Sequence, residues 1–360
     1  MLRRRLLVLG LLALYATALL GLADSAANGP ERILLVRNGD IWIADSDRGV
    51  VRRLTKSGTL YSASTDGDRI VCCDGQGTLR LLLPPRWLPM RLGEGSRFGP
   101  PPLWIPFTDW LVARRGFKDD EGLWAIDIAA GRGLRRVLPP ISGVLHLGPD
   151  ERDYIRLSPA GRVGSACLTD RGLDIQVVDP STWALSGQIL VRTQSSAFDW
   201  FSPEEIIAST NGTLTRVVTA SGHASAWVSL GRVDIRQIRR SPRGDRFAVG
   251  ESEDRYDLDA DTCPVWPMSA RIVLVDRLKK TRRRLIVPGP SQICDFSPDG
   301  SKLLVLSMNH RRIADAYTID VTTSIRHLVA SDVQEAIWMC RPGVRAGRDA
   351  AGGHTGGTAE

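Results

Sequence analysis

The chain has 360 residues, 43% hydrophobic and 24% charged, with a formal net charge of +7. That balance is ordinary for a globular core and excludes disorder for the bulk of the chain. The length suits one large all-β domain or two ordinary ones.

Residues 1–27 read as a targeting segment, a signal peptide or signal anchor, and not as part of the fold. Arg3, Arg4 and Arg5 make a basic start, and residues 6–23 form an apolar run broken only by small or weakly polar residues such as Thr17. Gly21-Leu22-Ala23 and Ser25-Ala26-Ala27 both offer the small residues that a signal peptidase reads. The run is also just long enough to span a bilayer, so cleavage and anchoring both stay open. Either way the body is expected outside the cytoplasm: periplasmic, extracellular, or anchored and facing outward. Removing the segment takes away three Arg and Asp24 and leaves a net charge of +5.

From Glu31 onward the chain reads as strands. A strand at 33–36 meets Asn38-Gly39, the strongest short hairpin signal, and strands at 41–44 and 51–54 follow. The second unit begins near Leu60, turns through Ser64-Thr65-Asp66-Gly67, and continues with 70–73 and 79–83. The third is less regular, with strands expected at 103–107, 110–113, 123–128 and 134–138. In the fourth, 154–157 leads through Ser158-Pro159-Ala160-Gly161 to 163–168, 173–178 and a strand from Trp183 on. The fifth has 198–201, Ser202-Pro203, 206–208, Asn211-Gly212, 214–218 and 226–230. The sixth has Ser241-Pro242-Arg243-Gly244, 247–249, 272–275 and 285–287. The seventh, 291–329, is the clearest. A short strand ends at Phe296, Ser297-Pro298-Asp299-Gly300 carries type I turn chemistry, and 303–306, 316–321 and 325–329 complete four strands. One strand, 336–340, is left over before Arg341-Pro342-Gly343.

A single sheet of this kind cannot bury both its faces, so repetition implies stacking of the copies. The strand that opens each unit recurs near residues 61, 105, 155, 199, 238, 294 and 338. Gaps of about 40–55 residues match propeller blades. The first unit lacks its opening strand and the chain ends with an orphan of that type, which is how a propeller closes its ring without a free edge. The expected fold is all-β: a seven-bladed propeller of four-stranded antiparallel blades over 31–343, closed by a C-terminal strand. Ten Trp, against seven Phe and five Tyr, suit the wide gaps between packed sheets. Residues 344–360 are rich in Gly, Ala and Thr, have no periodicity and are expected to be a disordered tail.

FSPDGSKLLVLS, LSPAGRVGSACLTD and RSPRGDRFAVGE resemble the WD40-like repeats of TolB-type β-propellers, in which a Ser-Pro-Asp-Gly turn joins the first two strands. The resemblance covers roughly 31–343 and implies an extracytoplasmic propeller of seven or six blades that acts in binding. Similar propellers are found fused to serine peptidase domains. This sequence carries no G-x-S-x-G elbow and leaves no room for a hydrolase after the last blade, so a peptidase is not expected.

Chemistry-bearing residues are sparse. His146, His223, His310, His327 and His354 lie in no metal-ligand spacing. Cys72, Cys73, Cys167, Cys263, Cys294 and Cys340 match no zinc pattern. An oxidising compartment would allow pairing, but most sit in apolar strands where Cys packs as a small hydrophobe. Asp257, Asp259 and Asp261 alternate like the start of a calcium loop, yet Thr262 stands where such a loop needs Gly and no closing Glu follows, so an exposed acidic loop is expected and no cofactor. Arg277, Lys279, Lys280, Arg282, Arg283 and Arg284 form a basic patch. It reads as a solvated hairpin between outer strands that blocks edge pairing, or as a surface for anionic lipid, wall polymer or an acidic partner.

Aligned on the Ser of each turn, the residue two positions earlier is Ser62, Arg156, Trp200, Arg239, Asp295 or Met339. Strand alternation turns these away from the neighbour that packs in the core, on the strand a propeller sets against its central channel. Arg156 and Arg239 are therefore expected to face the channel and grip an anionic group, with Asp295 orienting one of them. The function expected is a non-catalytic, monomeric binding or scaffold module at the cell envelope, with an envelope protein or anionic polymer as partner and no nucleic acid. The competing reading is an enzyme of the lactonase or lyase kind with a metal in the channel.

Overall fold

The computed structural model describes residues 31–46, 49, 51–67, 69–74, 78–83, 88–91, 102–105, 108–115, 122–129, 133–138, 155–252, 269–309 and 314–339. The expected targeting segment and tail lie outside them, as do Asp257, Asp259, Asp261, Cys263, Cys340, His146, His310 and His354.

The described strands form seven four-stranded antiparallel sheets. Blade 1 is built from Glu335–Met339, Arg32–Arg37, Asp40–Asp45 and Val51–Arg53, in that order from the axis outward. Blade 2 has Leu60–Thr65, Ile70–Asp74, Leu79–Leu83 and Leu88–Arg91. Blade 3 has Leu103–Trp104, Trp110–Arg115, Gly122–Asp127 and Gly133–Leu138. Blade 4 has Ile155–Leu157, Val163–Thr169, Gly172–Asp179 and Ala184–Val191. Blade 5 has Phe198–Ser202, Glu205–Thr210, Thr213–Val218 and Ala224–Ser229. Blade 6 has Asp234–Arg240, Arg246–Ser252, Arg271–Asp276 and Arg282–Leu285. Blade 7 has Ser291–Phe296, Lys302–Met308, Ala314–Asp320 and Arg326–Ala330.

The apolar core is divided among the blade interfaces and does not lie inside any one blade. Ile41 and Ile43 pack with Ile70 and Leu82 between blades 1 and 2, and Val71 and Leu81 with Trp104 and Leu111 between blades 2 and 3. Equivalent clusters join blades 3 and 4, 4 and 5, 5 and 6, and 6 and 7. The seventh joins Leu304, Leu306 and Val329 of blade 7 to Ile33, Leu35 and Trp338 of blade 1. Seven clusters in cyclic order make a closed ring. This explains why the second strands read as unbroken apolar runs: both faces of Ile70–Asp74 and Val163–Thr169 are buried. The outer strands have one covered face at most, and in Arg282–Leu285 only the last residue is buried.

The turns follow the local chemistry. In three blades the Gly of the Ser-Pro-x-Gly turn donates its amide to the Ser carbonyl, at 2.8–2.9 Å, and has φ of 68–82°. The same Ser hydroxyl accepts the amide of Arg162, Arg246 or Lys302 on the strand that follows. Asn38-Gly39 and Asn211-Gly212 have positive φ at both positions, as the tight hairpin requires. A signal not read from the sequence organises the hairpins between third and outer strands. Asp179, Asp276 and Asp320 each accept turn amides, and the residue four positions on, Trp183, Lys280 or Ser324, has positive φ.

Two expectations change. Blade 2 has a fourth strand, Leu88–Arg91, which the proline-rich stretch around it hid. The outer strand of blade 6 is Arg282–Leu285 and not 285–287, so Arg282, Arg283 and Arg284 lie in the strand and Arg277, Lys279 and Lys280 in the hairpin before it. Pairing decides this: Arg282, Arg283 and Arg284 sit opposite Val275, Leu274 and Val273.

The closure expected from the orphan strand is present. Ala336, Ile337 and Trp338 pair antiparallel with Leu35, Leu34 and Ile33. Trp338 is buried, and the Glu335 carboxylate accepts the Ala63 amide of blade 2 at 2.9 Å. Ending the chain after Asp332 strips blade 1 of its inner strand and uncovers faces of its neighbours. That truncation is expected to leave the protein insoluble or far less stable, and an unchanged melting temperature would contradict it. The milder Trp338→Ala is expected to cost about 3–5 kcal/mol in a denaturant titration.

Candidate functional site: the axial wall

The inner strand of every blade has one edge paired with its own sheet and one facing the axis. Backbone groups on that second edge need partners, and side chains of the neighbouring blade supply them. Asp199 of blade 5 accepts the Arg240 amide of blade 6 at 2.7 Å. Gln237 of blade 6 accepts the Ile293 amide of blade 7 at 2.7 Å. Carbonyls are met in the same way. Trp200 Nε1 donates to Arg156 at 3.2 Å, Trp338 Nε1 to Asp295 at 3.3 Å, and Arg239 Nε to Cys294 at 3.1 Å. Together with Glu335, these bonds lace the inner strands of blades 4, 5, 6, 7, 1 and 2 into a belt.

Within the belt, three charged side chains act on a fourth, Asp295. Asp295 is exposed, and yet its carboxyl is pushed up to about 6, first by desolvation. The guanidinium of Arg239 and the donated Phe296 amide pull the other way, the charge of Asp199 pushes up again, and Arg156 pulls down. Openness and desolvation are compatible on the wall of an enclosed channel, where water reaches the carboxylate but protein encircles it. Arg156 belongs to blade 4 and Asp295 to blade 7, so their interaction runs across the axis of the ring.

Of the sequence-derived residues, Arg239 reaches the strand that carries Asp295 through the Cys294 carbonyl, and the charges of Arg239 and Arg156 act on Asp295. Arg239 is nearly buried, and its Nη1 donates to the Ile238 carbonyl at 2.9 Å, as Arg156 Nη1 does to Ile155. Ser62 lies on the inner strand of blade 2 opposite Cys73. Trp200 needs correction: it is fully buried between blades 4 and 5, where a Cβ on Gly164 would stand 3.3 Å from its ring. A β-bulge between Trp200 and Ser202 breaks the alternation on which the channel assignment of Trp200 relied. Asp199, one residue earlier, was missed, and an acid in an otherwise apolar FDWF strand was the available signal.

The remaining chemistry is structural. Cys72, Cys73 and Cys167 are buried and Cys294 is half-buried. Burial pushes the Cys72 thiol up to about 12, so it packs as an inert hydrophobe. Among the described residues, no group of three or more His, Cys, Asp and Glu side chains is placed to hold a metal ion.

Because the Asp295 pKa is raised on folding, the folded state holds its proton more tightly than the unfolded chain does. Stability from this group is present below the unfolded value of 3.8 and is lost as pH rises through about 6. Asp295→Asn, which keeps an acceptor for the Phe296 amide, is expected to match the parent near pH 4 and to melt higher than the parent at pH 7. A melting difference that does not vary with pH would show that Asp295 is ordinarily solvated.

No described protein family matches the sequence, and no curated protein does. Solved structures do match. A puromycin-hydrolyzing peptidase from Mycobacterium tuberculosis superposes with a TM-score of 0.57 at 14% identity, over 85% of this chain and 53% of that one. TolB from Acinetobacter baumannii superposes with a TM-score of 0.51 at 14% identity, over 88% of this chain and 84% of that one. This chain spans about half the length of the peptidase. At such identities the likeness is one of fold alone: like these two structures, the described residues of this chain form a β-propeller, here of seven blades.

Proposed function

We propose that this propeller is a non-catalytic binding module of the cell envelope that holds an acidic group of a partner, a carboxylate or phosphate, at its axis. The observation that carries the reading is the placement of Arg156 and Arg239 on the inner strands of blades 4 and 6, with Arg239 bonded to the Cys294 carbonyl beside Asp295. Two guanidiniums offer forked donors to an anion. The charge of Asp295, when ionised, offsets that of the guanidiniums, and protonation removes the offset. The partner is a protein or polymer too large to enter the channel whole, and it presents one acidic side chain or end group. Export supports the envelope assignment and rests on the basic start and apolar run of residues 1–27. Fractionation that finds the full-length chain soluble in the cytoplasm would overturn it.

The axial site is tested with an Asp/Glu-rich peptide and anisotropy measurements. The double variant Arg156→Ala/Arg239→Ala is expected to lose affinity by about 10–100-fold, as loss of charge-assisted bonds implies. Its melting curve must stay cooperative, because both arginines also bond inner-strand carbonyls. Equal affinity in parent and folded double variant would exclude the axis as the site.

A further inference from the structure

The hairpins between third and outer strands of blades 6 and 7 stand side by side at one end of the ring. That end is the one carrying the Ser-Pro-x-Gly turns, since the Arg277 amide donates to Asp245 at 2.8 Å and the Val321 amide to Ser301 at 2.8 Å. At the tip of the blade 6 hairpin, Leu278 is 87% exposed, and Lys279 and Lys280 beside it are exposed. The hairpin is not loose. Asp276 accepts the amides of Leu278 and Lys279 at 3.0 and 2.8 Å, and Lys280 takes the positive φ that closes the turn. Leu278 is thus held out in water by a rigid turn with no apolar neighbour to cover it.

The surface continues around the rim. Arg283 Nη1 donates to the Thr322 carbonyl in the blade 7 hairpin, and Arg282 Nη1 donates to the Ser229 carbonyl of blade 5 at 3.0 Å. Both guanidiniums are fixed in place while remaining exposed. Just past the blade 7 hairpin, Ile325 is 55% exposed and Arg326 is exposed beside it. The nearby carboxylates are turned onto local donors: Asp276 and Asp320 onto turn amides, Asp299 onto Ser297 and Ser301, Asp245 onto Ser241.

We propose that this rim is a docking surface for an anionic lipid bilayer, with Leu278 and Ile325 entering the interfacial layer and Lys279, Lys280 and Arg326 meeting headgroups. The charge calls for an anionic occupant. The shape selects among such occupants, because Leu278 projects from a turn tip and Ile325 is exposed at the base of the neighbouring hairpin, with no groove beside either among the described residues. A protruding aliphatic side chain needs a complementary pocket on a folded partner but enters a fluid headgroup layer without one. Long flexible lysines likewise match laterally mobile charges. This surface is independent of Arg156 and Arg239, so the two assignments stand or fall separately.

The test is co-sedimentation of the full chain with phosphatidylglycerol vesicles and with pure phosphatidylcholine vesicles, with polyglutamate as a soluble competitor. The apolar run at residues 6–23 is common to every variant, so comparison between variants isolates the rim. Lys279→Glu/Lys280→Glu is expected to lose affinity for phosphatidylglycerol vesicles by about 25-fold or more, roughly fivefold per cation. Its affinity for phosphatidylcholine should not change. Leu278→Asp should weaken the same binding and leave the melting temperature unaltered. If both variants sediment with phosphatidylglycerol as the parent does, the rim is not a lipid surface. If instead they lose only polyglutamate binding, the occupant is an acidic protein and the proposal fails.

Discussion

The pairing of Glu335–Met339 with Arg32–Arg37 is the contact on which the other six interfaces depend. Each blade is apolar on both faces and reaches stability only between two neighbours. Six interfaces in an open chain of blades would leave one face of blade 1 and one of blade 7 in water, with Ile33, Leu35, Leu304 and Leu306 exposed. Bringing the ends of the chain together costs loop-closure entropy, but that cost grows slowly with length. It is offset by burial of Trp338 and Ala336 and by removal of a strand edge.

Closure also determines the character of the axis. Seven inner-strand edges meet there with backbone groups that have no strand to pair with. Asp199, Gln237, Arg239, Trp200, Trp338 and Glu335 satisfy several of them from the adjacent blade. A polar and charged axial wall is therefore a structural necessity before it is a binding surface. Arg239 shows the overlap: its Nε and one Nη bind inner-strand carbonyls while its charge acts on Asp295. A ligand anion at this point would meet guanidiniums already oriented by the fold, so little side-chain ordering would oppose binding.

At the outer rim the same architecture has the opposite effect. The outer strands bury single residues such as Ile189, Leu285 and Val329, but their remaining positions are exposed and free of packing constraints, available for solubility, edge protection or contact. In blade 6 the outer strand is almost wholly arginine, which prevents another strand from pairing with it. Leu278 is not explained by edge protection, because it projects from the end of the hairpin and not from the strand edge.

The sequence by itself determined the number of blades, their boundaries and the closure, because these depend on local signals. Ser-Pro-x-Gly and Asn-Gly turns specify backbone angles within four residues, and continuous apolar runs mark strands buried on both faces. It also placed Arg156, Arg239 and Asp295 on inner strands at equivalent positions. Only the tertiary structure decided which of those side chains act together. A bulge inside Phe198–Ser202 broke the two-residue period and turned Trp200 into the core, and no single-residue property of the sequence announces a bulge. Pairing against Val273, Leu274 and Val275 drew Arg282–Leu285 into a strand that its charge argued against. The raised pKa of Asp295 depends on groups from blades 4, 5 and 6, between about 55 and 140 residues away in the chain, which meet only because the ring closes around a shared axis.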